Sequence, residues 1–268
     1  MSVEAKGLEA HWAARPLGEG RYAAALREDW YQGRGVYGGL VAALTTRAMR
    51  AELGDDWPAR TVHVAFTSPA TAGEVEIAVE RLRVGRSVAV AAAKMIRDGE
   101  LIASAQATFA KDRDVSFGFE APAAPKLPPP GEVSDGPKAL YIPDFCRYFE
   151  FRQAEGPTSF SGGEVARLAG WCRPRTPTPL SAELVLSLLD AWAPAALCRR
   201  EGWAPAASID LTADLPPRFG RTMLEDFAMY VAQSSFAHDG YADERASLYA
   251  PTGEWLGSTR QLIALFDP

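Results

Sequence analysis

Gly38 and Gly39 open an apolar run, "GGLVAALTTRAMRAEL", in which Leu40, Val41, Leu44, Ala48 and Leu53 recur at helical spacing. A helix that starts on two residues without side chains leaves its first N–H groups uncovered at the positive end of the helix dipole. A substrate oxygen that gains negative charge can approach them there. A Ser or Asp cap would occupy those donors. The same pair also serves as a tight strand-to-helix turn, so both uses stay open at this point. Asp210 lies between apolar Ile209 and Leu211, and strand alternation sends its carboxylate to the face opposite theirs. A carboxylate so placed is a candidate base if its wall desolvates it, and equally a group satisfied by an arginine or by backbone amides. His63, on a similar strand of the first half, has a structural use as well as an acid–base one. The cysteines, Cys146, Cys172 and Cys198, are odd in number and lack CxxC spacing, which favours reduced packing residues over zinc, a redox pair or a nucleophile.

The elements that must position these groups fall into two similar halves. "RYAAALREDW" reads as a strand before the first helix. After it, "TVHVAF", "EVEIAVERLR", "SVAVAAAKMI" and "LIASAQATFA" read as strands, the last two joined at the hairpin signal Asp98-Gly99. The second half repeats that order: "RYFEFRQ" and "GEVARLAGWCR", a helix "SAELVLSLLDAWAPAAL" capped by Ser181, then "ASIDLTADLPP", "MLEDFAMYVA" and a final hairpin. Closely spaced prolines in "APAAPKLPPPGEVSDGPKALYIPD" allow neither a helix interior nor a central strand. The expected layout is therefore a module over 1–111, a Pro-rich linker over 112–144 and a module over 145–268. Each module is α+β, one long helix wrapped by about four long antiparallel strands.

With 47% hydrophobic and 23% charged residues in 268, the chain has the composition of a globular protein. A net charge of −6 argues against binding nucleic acid through an overall basic field. No basic segment precedes an apolar core at the N-terminus and no apolar run reaches about 18 residues, so no membrane partner and a cytoplasmic location are expected.

The stretches "VYGGLVAAL", "TVHVAFTSPATAGEVEIAVERLRVGRSVAV", "DGELIASAQATFA", "ASIDLTADLPP" and "GEWLGSTRQ" together resemble the acyl-CoA thioesterase II family, the TesB-like double-hotdog proteins. The resemblance implies two hotdog modules sharing a continuous sheet and an acyl-CoA substrate that enters between them. It also implies hydrolysis by a water held by an Asp, a Thr or Ser and a Gln, without cofactor or metal, in a homodimer. Carried onto this chain, those residues are Asp210, Ser235 and Gln261, with Ser234 as the alternative hydroxyl. On this view the Gly38-Gly39 turn binds the thioester oxyanion, facing Asp210 across the module boundary. His63 stands where relatives often carry His, and Arg34, Arg60 and Arg86 are candidates for the phosphates of coenzyme A.

The chain departs from the family pattern at Leu40, where a Gln is common, at Leu211, where a polar residue is common, and in having Ser for Thr. Two rivals follow. One is a double hotdog that binds an acyl-CoA or another apolar ligand without turnover. The other is a MaoC-like enoyl-CoA hydratase, which needs an Asp and a His within reach of one substrate, whereas Asp56 and His63 are divided by Trp57-Pro58. A Ser-His-Asp hydrolase is disfavoured because the sequence has no GxSxG turn.

Overall fold

The structure is a computed structural model that describes residues 7–133, 142–216, 219 and 222–267. In the first module the principal elements are β1 (Arg15–Gly18), β2 (Arg21–Leu26), α1 (Gly38–Leu53), β3 (Ala59–Phe66), β4 (Gly73–Val84), β5 (Val88–Arg97) and β6 (Glu100–Ala110). The second contains β7 (Phe149–Glu155), β8 (Arg167–Pro174), α2 (Ala182–Leu189), β9 (Ala206–Asp214), β10 (Ala228–Gln233), β11 (Tyr241–Tyr249) and β12 (Trp255–Leu265). These strands form one antiparallel sheet in the order β1-β2-β4-β5-β6-β3-β9-β12-β11-β10-β8-β7, with Ala237–His238 added beside β11. The order reads alike from either end, so the expected double hotdog is present: β3 and β9 pair at the centre and fuse two sheets into one.

Turn chemistry and side-chain size set this up. Asp98 (φ 50°) and Gly99 (φ 81°) both take left-handed backbone, the conformation a two-residue hairpin needs to match the twist of β5 and β6. On the inner face of those strands Ala89, Ala91, Ala93, Ala103, Ala105 and Ala107 are buried. Such small side chains let the sheet close on α1, which buries Leu40, Val41, Leu44, Ala48 and Met49 against it. Helices α1 and α2 also pack on each other, so both modules share one core.

The second helix is shorter than its sequence suggests. Ser181 caps it as expected, its Oγ accepting from Leu184 N–H at 3.2 Å, but α2 stops at Leu189 and the chain turns at Asp190. Pro194 cannot continue a helix, and Ala195–Arg199 forms a 3-10 turn instead. The segment 111–129 holds neither helix nor strand. Beyond it the 3-10 turn Asp144–Tyr148 brings aromatics back to the first module, where Tyr148 stacks on Trp30 (centroids 4.1 Å apart) and Phe145 on Tyr37 (4.2 Å).

Candidate active site

The end of α2 at Leu189 puts a carboxylate, Asp190, where the first helix begins. Tyr37 is the N-cap residue of α1 and makes no side-chain cap bond. The cap comes from the other module: Asp190, 7% exposed, accepts a hydrogen bond from Gly39 N–H and another from the side chain of Gln261. Burial pushes the Asp190 carboxyl up to about 7, and these two bonds offset only part of that effect. Gln261 in turn accepts from Ser208 Oγ at 2.8 Å through its Oε1, which leaves its NH₂ to donate to Asp190. Asp190, Gln261 and Ser208 thus form one hydrogen-bonded row in the wall of a cavity of about 410 Å³. Trp192, Trp203, Phe160 and Leu197 supply apolar wall.

Two glycines make this approach possible. A Cβ on Gly38 would stand 2.8 Å from Asp190 Oδ2 and 2.8 Å from Phe66 Cζ, and one on Gly39 would meet Tyr37 Cε2 at 2.6 Å and Ser187 Cα at 3.1 Å. Both are well inside ordinary contact. The Gly38-Gly39 pair is therefore a close-packing device that seats a buried acid on a helix N-terminus. Gly39→Ala is expected to destabilise the fold by about 1–3 kcal/mol through overpacking, read as a lower denaturant midpoint with an unchanged slope.

The other residues singled out in the sequence are distributed unevenly. Gln261 lies in the row just described. Asp210 is half-buried, and its Oδ1 accepts from Leu262 N–H at 3.2 Å. A β-bulge explains this: the register between β9 and β12 slips between Ser208 and Asp210. Ile209 becomes the extra residue, 38% exposed, and the Asp210 carboxylate fills the gap in the ladder. The expected alternation holds between Asp210 and Leu211, which lies in the core, but fails at Ile209, and Asp210 is absent from the cavity wall, where Ser208 stands. Nor does Asp210 face the Gly38-Gly39 turn, since Asp190 does.

Ser235 is exposed, and its N–H donates to Asp243 Oδ1 at 2.6 Å in a turn shared with Ser234, whose hydroxyl bonds Phe236 O at 2.9 Å. Neither serine lines the cavity. His63 points to the exposed face of β3, where its Nδ1 is 3.0 Å from Thr212 Oγ1 across the module seam. Arg34 is exposed at the cavity wall. Arg60 is engaged in structure, donating to Ala110 O at 2.8 Å and Asp112 at 3.0 Å, and Arg86 sits in the β4–β5 turn away from the cavity. Leu40 and Leu211 belong to the core.

Sequence reasoning missed Asp190, Ser208 and Glu244. The signal for Asp190 was present as the one acidic residue at the end of an apolar helix, in "LVLSLLDAW". Nothing in the sequence reveals the bulge that turns Ser208 inward. The cysteines are free; burial pushes the Cys172 thiol up to about 12 and the Cys198 thiol to about 11, so neither forms a ready nucleophile. Among the described residues no cluster of His, Cys, Asp or Glu can hold a metal ion, and no helix is long and apolar enough to cross a membrane.

A fused sheet around two helices, with a buried acid where the helices meet, defines a double-hotdog protein with a candidate site between its modules. Residues 26–110 match the acyl-CoA thioesterase N-terminal domain and residues 121–265 the acyl-CoA thioesterase C-terminal domain, so the chain belongs to the acyl-CoA thioesterase family. Three solved structures share its fold. A hotdog protein of unknown function from Alicyclobacillus acidocaldarius is 22% identical, with TM-score 0.87 over 96% of this chain and 97% of that one. A tesB protein from Mycobacterium avium subs paratuberculosis is 21% identical, with TM-score 0.81 over 97% and 98%. An acyl-CoA thioesterase II, TesB2, from Mycobacterium marinum is 19% identical, with TM-score 0.78 over 98% and 99%. No curated protein matches the chain.

Proposed function

We propose that the protein hydrolyses acyl-CoA thioesters to a free acid and coenzyme A, with Asp190, Gln261 and Ser208 holding the attacking water. The observation that carries this is a buried carboxylate with a pKa near neutrality, aimed into a ligand-sized cavity and tied to an amide and a hydroxyl. As a base Asp190 takes a proton from water; the oxygen adds to the thioester carbonyl, and collapse of the tetrahedral adduct expels the thiolate, which takes up a proton. A pKa near the working pH is the value that favours such proton transfer. The first-turn N–H groups of α1, Gly38 in particular, are the proposed donors to the carbonyl oxygen as charge develops on it. Arg34, at the edge of the cavity, is the proposed contact for a coenzyme A phosphate.

The binding-only reading has one observation in its favour: Asp210, Ser235 and Gln261 do not converge. The convergence of Gln261 with Asp190 and Ser208 outweighs it, because a row of acid, amide and hydroxyl is what water activation needs. The test is coenzyme A release from a panel of short to long acyl-CoA esters. Turnover is expected, with kcat/KM rising with pH and levelling above about 7, since the deprotonated form of Asp190 is the base. Esters that bind yet release coenzyme A no faster than in buffer would establish the binding module instead.

A further inference from the structure

The proposed hydrolysis leaves one acid in the cavity wall unused. Glu244, on β11, is 1% exposed and lines the same cavity as Asp190. Its Oε2 accepts from Ala195 N–H at 2.5 Å and its Oε1 from Tyr230 OH at 3.2 Å. Each carboxyl oxygen has room for a second donor, and Phe160 and Leu197 in the cavity wall have no side-chain donor to offer. A glutamine would satisfy Ala195 and hold Tyr230 just as well without a buried acid. Burial and the neighbouring Asp190 both raise the Glu244 carboxyl, to about 7, so keeping an acid here costs stability. A group that costs stability and faces a ligand cavity belongs to recognition more than to packing.

We infer that Glu244 is a specificity residue: it hydrogen-bonds a hydroxyl on the acyl group, so the favoured substrates are hydroxylated acyl thioesters and not plain hydrocarbon ones. A plain chain entering this cavity would bury Glu244 against methylenes and leave its remaining acceptor sites unpaired. A hydroxyl pairs with them and adds no net charge. This inference rests on the proposed thioesterase reading, because it takes the cavity to be the acyl site.

The experiment compares hydroxyacyl-CoA and unsubstituted acyl-CoA of equal chain length, with the hydroxyl placed at successive carbons, on the native protein, Glu244→Gln and Glu244→Leu. In the native protein kcat/KM is expected to favour one hydroxylated isomer by about 10- to 100-fold. Glu244→Leu is expected to erase that preference by lowering turnover of the hydroxylated ester more than that of the plain one. Glu244→Gln, which keeps an acceptor and the fold, is expected to retain part of the preference. Equal losses on both esters in both variants would mean a purely structural role for Glu244, and a native protein indifferent to every hydroxyl position would overturn the inference. Binding of the matching non-hydrolysable thioethers, measured by calorimetry, separates the two proposals. Discrimination in Kd without turnover in any ester overturns thioester hydrolysis and keeps the hydroxyl recognition, whereas turnover without discrimination does the reverse.

Discussion

Asp190→Asn is expected to lower kcat for acyl-CoA hydrolysis by about 10² to 10⁴-fold with little change in binding of a non-hydrolysable thioether, the range for removal of a positioned general base. Asparagine keeps the acceptor for Gly39 N–H and can keep a partner in Gln261, so the helix cap survives and only the proton acceptor is lost. The rise of activity through pH 7 should vanish from whatever rate remains. Asp210→Asn and Ser235→Ala are the matched comparison, because one closes a bulge and the other lies in an exposed turn. Small effects from both beside a large one from Asp190→Asn would place the chemistry at the end of α2. A loss at Asp210 as large as at Asp190 would return the catalytic base to β9.

The second large effect is on stability and has the opposite sign. Asp190 and Glu244 have folded-state pKa values of about 7, above the ordinary 3.8 and 4.5. The native state therefore binds these two protons more tightly than the unfolded one, so the pair's contribution to stability is greatest below about pH 4, falls as pH rises toward 7 and levels beyond it. Replacing both acids, Asp190→Asn with Glu244→Gln, should flatten that slope and stabilise the protein at pH 8 by about 3 kcal/mol or more. Denaturant midpoints of the native and double-variant proteins between pH 4 and 8 read this directly. Parallel pH profiles would mean that the two carboxyls are not held above their ordinary range. The proposed active site is then a stored cost, offset by the rest of the core.

The architecture was legible because it rests on local rules. The 3.6-residue spacing of α1, the alternation of β4, the Asp98-Gly99 turn and the Ser181 cap each act over a few residues, and each is found where its pattern stands. The repeat of that order in the second half carried the double module with it. The proposed site rests on contacts between distant segments, which the linear pattern does not display. The resemblance put Asp210 at the site, but a single extra residue, Ile209, shifts the register beside it and brings Ser208 to the cavity wall instead. Ser235 stood in a plausible strand order but at a turn organised by Asp243. Gly38 and Gly39 advertised an open helix start, and the sequence could not show that Asp190, separated from them by four strands of the first module, the linker and the entry strands of the second, would fill it. Helix, strand and turn types follow from side-chain shape and backbone freedom within one element. The pairing of Asp190 with α1, and the burial that lifts its pKa, exist only once two modules close on a shared core.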